Sequence, residues 1–173
     1  MRTFILLIVV VLVFAACGNG NGGNEGNGAN TTNTIAETPE MTETLPEISP
    51  SDLTAAILAE IEVPSAVEKD ISSLNIYYDI DEEMIEDMSL VICGSGAYPD
   101  ELAVFLLKDE VDVGEVIGHI NTRHKNQTAL FRDYTPDEMY KLDAAIIGFN
   151  GRYVYFLVCE DNSMAESIIK SLL

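Results

Sequence analysis

Apolar positions after residue 50 recur with two periods, and each period predicts a different kind of element. A period of two, or a continuous apolar run, predicts buried strands, and a period near 3.6 predicts amphipathic helices. The predicted strands cover residues 89–94, 101–108, 144–149 and 152–159. The predicted helices begin near Ser51, Asp81, Asp112, Thr135 and Asp161. This order, αα-ββ-αα-ββ-α, predicts one α+β domain over residues 51–173, with two layers and a mostly antiparallel four-stranded sheet.

Two segments carry the clearest local signals. Residues 102–107 are apolar at both parities, so this strand is expected to be covered on both faces. Asn150-Gly151 lies between two strand-like runs and predicts a hairpin with a type I′ turn. After the turn, Tyr153 and Tyr155 form an aromatic face, which predicts either a platform for a glycan or a surface covered by a helix.

Two helix starts depend on capping patterns. The spacing of Thr135, Pro136 and Glu138 is that of a capping box. Asp81 is expected to cap a helix that continues to Met88, because apolar residues line one side of it.

The first residues of the chain determine where the domain is expected to be located. Arg2 is followed by an apolar run from Phe4 to Phe14, and two alanines precede Cys17. The run is shorter than the roughly 20 residues that span a bilayer, so residues 1–16 are interpreted as a lipoprotein signal peptide. Cys17 would then carry a diacylglyceryl lipid and begin the mature chain. The alternative is an ordinary cleaved signal with an incidental cysteine.

Residues 17–50 are expected to be the lipidated cysteine and a disordered tether, because Gly, Asn, Thr, Glu and Pro dominate them. The protein has 29 acidic and 9 basic residues and a net charge of −20. Such a charge argues against nucleic acid and against direct adsorption to anionic lipid. The sequence therefore predicts a membrane attachment through the lipid on Cys17, at the extracytoplasmic face of a cell membrane.

Candidate metal ligands occur in one acidic stretch. The weak candidates are Asp79, Asp81, Glu82 and Glu83. A calcium-binding loop needs a glycine and a final glutamate at fixed spacing, and neither occurs here. A solvated acidic surface is therefore the favoured interpretation, and no cofactor is expected.

Few other residues suggest chemistry. Cys93 and Cys159 each lie in an apolar run and are interpreted as free buried thiols or, alternatively, as a disulfide. His119 and His124 are five residues apart, so they cannot share a metal on one helix face. Arg123 could receive an anion or pair with the protein's own carboxylates. No catalytic motif is present, so we expect no enzymatic activity.

The succession of segments from Asp100 onward carries a resemblance. Glu101-Leu102-Ala103-Val104-Phe105, the long helix, Tyr134-Thr135-Pro136-Asp137-Glu138 and a Val-rich hairpin resemble a family of small Gram-positive lipoproteins with a C-terminal domain of unknown function. The resemblance implies a lipid anchor and a tether, and no catalytic residue can be transferred from it. It also implies, remotely, an accessory role in envelope O-acylation.

These observations leave two hypotheses for function. The first is a non-enzymatic lipoprotein that binds an envelope protein partner or acts as a scaffold in an envelope complex. The second is a lipoprotein that binds a small ligand, either a cation on the acidic stretch or a glycan on exposed tyrosines. A concave pocket would favour the second hypothesis.

Overall fold

A computed structural model describes residues 47–173. The signal peptide, Cys17 and nearly all of the tether lie outside these described residues. The helices are α1 (Pro50–Leu58), α2 (Ser73–Tyr78), α3 (Val113–Tyr134), α4 (Met139–Asp143) and α5 (Asn162–Leu172). The strands are β1 (Ala66–Lys69), β2 (Ile85–Cys93), β3 (Glu101–Leu107), β4 (Ile146–Asn150) and β5 (Tyr153–Val158). Within this range, no helix is both long enough and apolar enough to cross a membrane.

The strands form one antiparallel sheet in the order β1-β2-β3-β5-β4. The α+β class is confirmed, but the sheet has five strands rather than the expected four. The additional strand is β1, which sequence analysis missed because its four residues, Ala-Val-Glu-Lys, are mostly exposed and show no apolar alternation. The prediction that β3 is covered on both faces is confirmed, since all seven of its residues are buried.

Two hydrophobic clusters lie on opposite faces of the sheet, because alternate residues of β3 point to opposite sides. Ala103, Phe105 and Leu107 belong to the cluster that packs against α2, α3 and α4. Leu102 and Val104 belong to the cluster that packs against α1 and α5. The expected two-layer arrangement is therefore wrong, and helices cover both faces of the sheet.

The predicted hairpin is confirmed as β4–β5, but its turn is displaced by one residue. Asn150 pairs with Tyr153, so Gly151 and Arg152 form the two-residue loop. Of these two residues, only Gly151 has a positive φ, of 56°. A type I′ turn centred on Asn150-Gly151 is therefore not formed.

The helix predicted from Asp81 to Met88 is wrong, and a β-bulge explains the error. Asp81 caps only a short 3₁₀ turn, after which β2 begins at Ile85. The strand register shifts between Ile85 and Asp87, so Ile85 and Met88 pack against the same cluster although they are three residues apart. The bulge therefore reproduces the apolar spacing of a helix in a strand.

Helix caps were predicted with mixed success. Asp112 and Asp161 accept backbone N–H bonds at the starts of α3 and α5, as expected. The side chain of Thr135 makes no capping bond, so the predicted capping box is absent. The backbone N–H of Thr135 instead bonds to Phe131 and closes the end of α3, which leaves the side chain outside the capping geometry.

Candidate functional site

Two consecutive carboxylates stand where the chain enters the most buried strand. Asp100 precedes β3 and Glu101 begins it, and both side chains are fully buried. Extended backbone directs neighbouring side chains to opposite sides, so each carboxylate needs its own partner. An unpaired charge in such a place would be strongly destabilising.

Glu101 is enclosed by donors from two helices. Arg123 on α3 places Nη2 at 2.6 Å from Glu101 Oε2, and its Nε lies 3.2–3.3 Å from both carboxylate oxygens. Gln127, one helical turn later, donates from Nε2 to Oε2 at 2.7 Å. The hydroxyl of Tyr78 on α2 donates to Oε1. The carboxylate therefore fixes the orientation of all three side chains.

The charge state of this cluster follows from its surroundings. Burial, reinforced by the negative charge of Glu101, raises the pKa of Tyr78 well above its ordinary value, so its hydroxyl stays protonated and donates. Burial lowers the pKa of Arg123, but the adjacent Glu101 raises it more, and the net direction is upward. The cluster is consequently an ion pair whose two charges cancel.

A pocket of about 280 Å³ opens beside this ion pair. We call it the Arg123 pocket; its charged, amide and aromatic lining residues are Lys69, Tyr77, Tyr98, Asp100, Glu101, Arg123, Gln127 and Phe131. The guanidinium carbon of Arg123 lies 5.0 Å from the centroid of the Tyr77 ring, and Lys69 Nζ lies 5.9 Å from the same centroid. Both cations are within the range of cation–π attraction, so Tyr77 helps to hold them at the pocket.

The charged lining residues of the Arg123 pocket are balanced although the protein is strongly acidic, because two cations, Lys69 and Arg123, stand beside two carboxylates. Its two carboxylates, Asp100 and Glu101, are paired with Lys141 and Arg123. Lys69 has no carboxylate within 4.0 Å among residues 47–173. The ammonium group of Lys69 is therefore available at the pocket to pair with an anionic group of a ligand.

Lys141 on α4 neutralises the other carboxylate. Its Nζ lies 2.9 and 3.2 Å from the two oxygens of Asp100 and 3.0 Å from Glu138 Oε2. Burial raises the pKa of Asp100 above its usual value, and Lys141 opposes that shift only in part. Burial lowers the pKa of Lys141, but its bonds to Asp100 and Glu138 raise it more. The ammonium group is committed to these carboxylates and is not free for a ligand.

Comparison with known proteins identifies the family. A family model described as Domain of unknown function (DUF4358) matches residues 59–159, more than half of the chain. The protein belongs to the DUF4358 family. No curated protein and no solved structure matches the chain.

The segment matched by the DUF4358 model contains the whole Arg123 pocket and the Lys141–Asp100 pair. It contains neither α1 nor α5, the helices that cover the second face of the sheet. The family assignment confirms a domain of unknown function, and it gives no activity and no information on a lipid anchor.

The cysteines of the DUF4358 domain are both free and buried. Cys93 pairs across the sheet with Asp100, and Cys159 follows β5, which lies on the other side of β3. Two strand spacings separate them by about 10 Å, whereas a disulfide needs Cα atoms within about 7 Å. The structure therefore has two thiols where a disulfide was the alternative.

The environments of the two thiols differ. Burial raises the pKa of Cys159 to about 11. Burial also acts to raise the pKa of Cys93, but the Ser95 hydroxyl, 3.2 Å from the sulfur, and N–H groups of the following loop lower it overall. Neither cysteine has a histidine partner among the described hydrogen bonds.

The acidic stretch does not assemble into a metal site. Asp79, Asp81, Glu82 and Glu83 line a pocket of about 540 Å³. Among residues 47–173, no group of three or more Asp, Glu, His or Cys side chains is arranged to hold a metal ion. Asp81 is already used as the cap of the 3₁₀ turn. The cation hypothesis for this stretch gains no support.

For Tyr153 and Tyr155 the sequence predicted either a glycan platform or a face covered by a helix, and the structure shows the covered face. Tyr153 and Tyr155 are 8% and 1% exposed and belong to the cluster under α1 and α5. A glycan site on their ring faces is therefore wrong. The histidines of α3 are half-buried and bond to backbone carbonyls: His119 to Tyr78 and His124 to Leu142. Their positions indicate a role in docking α2 and α4 onto α3.

Sequence reasoning singled out Arg123 and missed its partners. It anticipated pairing with the protein's own carboxylates or an anion, and the ion pair to Glu101 supplies the first. The sequence does contain a signal for these residues. Asp100-Glu101 directly precedes the apolar run of β3, and Arg123 and Gln127 share a helix face at i, i+4. No local pattern could indicate that these segments meet.

Proposed function

We propose that this protein is a lipid-anchored extracytoplasmic lipoprotein, without enzymatic activity, that binds a small organic anion in the Arg123 pocket. The observation that carries the proposal is the ammonium group of Lys69, which has no carboxylate within 4.0 Å among residues 47–173, at the same pocket as a guanidinium whose orientation is fixed by buried Glu101. Bound anions are commonly recognised by such preoriented donors. The concave, tyrosine-lined site favours small-ligand binding over a purely scaffolding role.

The position of the pocket agrees with a tethered protein. Residue Glu47, where the described chain begins, pairs with Arg152, and the carbonyl of Ile48 accepts a bond from Tyr153. These contacts lie at the β4–β5 turn, whereas Glu101 is at the opposite end of β3. The length of that strand separates the two ends by roughly 20 Å. The pocket is thus at the end of the sheet away from the chain's entry.

The lipid anchor is tested directly at Cys17. In a Gram-positive host, the Cys17→Ala variant is expected to leave the membrane fraction and to lose incorporation of a labelled fatty acid, because two acyl chains are needed for stable attachment. A Cys93→Ala variant serves as the control and is expected to stay in the membrane fraction. Fatty-acid label that persists in Cys17→Ala would contradict the proposed anchor.

Anion binding is tested by calorimetric titration of the full chain in neutral detergent micelles. Propionate is expected to bind saturably, whereas its uncharged amide, propionamide, is not. Lys69→Gln should weaken propionate binding about fivefold, since one charge a few ångströms away is removed. Lys125→Gln removes an exposed charge on α3 outside the pocket and should leave binding unchanged. Affinity should also fall as salt is raised.

A protein partner remains the second candidate, and one observation favours it. Leu130 and Tyr134 are exposed on one side of α3, at 63% and 68%, and Leu130 also lines the Arg123 pocket. An acidic segment of a partner could insert a carboxylate between Lys69 and Arg123 while its apolar residues cover this side of α3. If no small anion binds, the small-ligand proposal fails, and crosslinking from position 134 in intact envelopes tests the partner.

A further inference from the structure

Within residues 47–173 the sheet has two unpaired edges, β1 and β4, and only β1 is protected against another strand. β1 has four residues and ends in two charged side chains, Glu68 and Lys69. β4 lies in an uncharged stretch, residues 144–150, and has no proline and no shift in its register with β5. Charges, prolines and bulges are the devices that keep sheet edges from pairing. Their absence from β4 indicates that another strand pairs with it.

The hydrogen bonds of the β4–β5 hairpin show which backbone groups of β4 are open. The carbonyl of Arg152 accepts a bond from β3, so the next residue, Tyr153, directs its backbone groups toward β4. Its partner is Asn150, and bonding to β5 recurs at every second residue of β4 from there. The N–H and C=O groups of Ile147 and Phe149 therefore point away from β5, where the described chain has no further strand.

These open groups are symmetric about Gly148. A second copy that runs antiparallel, with the two Gly148 residues opposite each other, pairs Ile147 of each copy with Phe149 of the other. A register centred on Ile147 would need the N–H of Ala145, which already donates within its own chain. A register centred on Phe149 would include Gly151, which lies in the turn with a positive φ. Only the register centred on Gly148 uses every open group.

The side chains also match in this register. Ile147 is half-buried on the face covered by α3 and α4, and alternation places Phe149, which is 60% exposed, on the same face. In the dimer each Phe149 covers Ile147 of the other copy. Gly148 brings no side chain to the centre of the pairing, because Tyr155 fills that place: a Cβ on Gly148 would lie 2.4 Å from its ring. The two backbones can therefore approach to the normal spacing of a sheet.

The acidity of the protein does not prevent two copies from meeting along β4. The strand is neutral, and charged groups beside it are paired within the chain: Glu166 with Lys170 at 2.8 Å, and Arg152 in the turn with Glu47 at 2.8 Å. Each copy still carries a net charge of −20, so raising the salt concentration should strengthen the association.

We infer that the chain forms a twofold dimer through β4, in which the sheets of two copies join into one continuous sheet. The Arg123 pocket lies at β1, β2 and β3, so it stays open in both copies, and the inference is independent of the proposed function. A five-residue edge buries less area than a standard interface of roughly 1,600 Å², so the dimer is weak and reversible. Attachment of both copies to one membrane, as proposed above, raises their effective concentration.

Disulfide trapping on the full chain in neutral detergent micelles tests the register. The pairing places Ile146 of one copy opposite Asn150 of the other, as a non-hydrogen-bonded pair with Cα atoms about 4.5 Å apart, which permits a disulfide. A mixture of Ile146→Cys and Asn150→Cys chains should therefore crosslink under mild oxidation. Each variant alone should not, because equivalent positions lie roughly 14 Å apart across the dimer. Wild type, with its buried Cys93 and Cys159, gives the background.

Sedimentation of the same samples measures the strength of the dimer. Phe149→Lys places a charge on the edge and should raise the dissociation constant at least about tenfold. Tyr134→Lys changes an aromatic residue of similar exposure, 68%, on α3 and should leave it unchanged. Circular dichroism checks that both variants fold, and if Phe149→Lys does not, the cysteine mixture decides the question.

Three results would overturn the inference. The first is a mixture of the cysteine variants that does not crosslink, or a crosslink in either variant alone. The second is a dimer that Phe149→Lys leaves intact. The third is a chain that stays monomeric at every concentration and whose Asn150→Cys variant, in intact envelopes, crosslinks only to a different protein, which would assign the edge to a foreign strand.

Discussion

Replacing Glu101 by Ala is expected to lower the free energy of unfolding by about 3–5 kcal/mol. The wild-type carboxylate has no solvent exposure and accepts bonds from Arg123, Tyr78 and Gln127. Its removal leaves a guanidinium, a hydroxyl and an amide without their acceptor in the interior. Since domains of this size are stable by roughly 5–15 kcal/mol, the loss is a large fraction of the total. Urea denaturation followed by circular dichroism measures it.

Two further variants test whether the loss of stability comes from an unpaired buried charge or from the removal of any glutamate. Glu68→Ala removes an exposed carboxylate on β1 and should change stability by no more than about 0.5 kcal/mol. The double variant Glu101→Leu with Arg123→Met leaves no buried charge, so it should recover part of the loss. A cost below about 1 kcal/mol for Glu101→Ala would contradict the described network.

The same physics links this ion pair to the proposed function. A buried ion pair often contributes little or nothing to stability compared with apolar residues of the same shape. The Glu101–Arg123 pair therefore needs a reason other than stability, and its position at the pocket supplies one. The carboxylate holds the guanidinium in a single orientation before any ligand arrives, and Nη1 of Arg123 makes no hydrogen bond to residues 47–173. Such preorganisation reduces the entropy lost on binding.

Local sequence signals predicted the elements whose shape depends on local chemistry. The β4–β5 hairpin, the fully buried β3 and the aspartate caps of α3 and α5 follow from turn residues, apolar runs and short-range bonds. The errors arose where tertiary contacts override the local pattern. The bulge after Ile85 places apolar residues at helical spacing on a strand, and β1 is a strand only because β2 pairs with it.

The candidate site could be predicted only in part, because its contacts are remote in sequence. Arg123 and Gln127 lie 22 and 26 residues from Glu101, and Lys141 lies 41 residues from Asp100. The sequence indicates that Asp100 and Glu101 precede a buried strand, and that Arg123 and Gln127 share a helix face. It does not indicate which helix covers which face, and that packing is what forms the pocket.

Lys141→Met is also expected to lower the free energy of unfolding strongly, because it leaves Asp100 buried without its cation. Asp100 has no side-chain exposure, and the ammonium of Lys141 is within 3.2 Å of both carboxylate oxygens. We expect the free energy of unfolding of the variant to be about 3–5 kcal/mol lower than that of the wild type at pH 7. The loss should also depend on pH, because a buried carboxylate can escape the cost by taking up a proton.

The sign of that pH dependence follows from the pKa of Asp100. Burial raises this pKa in the folded protein, with Glu138 adding to the shift and Lys141 opposing it. A raised folded-state pKa gives stability that is present at low pH and lost as pH rises through that pKa. Without Lys141 the pKa rises further, so the deficit of the variant should shrink as pH is lowered from 7 toward about 5. The free energy of unfolding of the wild type is measured at each pH and compared with that of the variant, so that contributions of carboxylates common to both proteins cancel.

A double variant isolates the charge of Asp100. Asp100→Asn added to Lys141→Met keeps the shape of the side chain and removes the proton-binding group, so most of the deficit at pH 7 and its pH dependence should disappear together. Lys170→Met, which breaks an exposed pair with Glu166 on α5, should cost less than about 1 kcal/mol and show no comparable pH dependence. A deficit in Lys141→Met that stays constant between pH 5 and 7 would show that lost packing, rather than an unpaired carboxylate, is the cause.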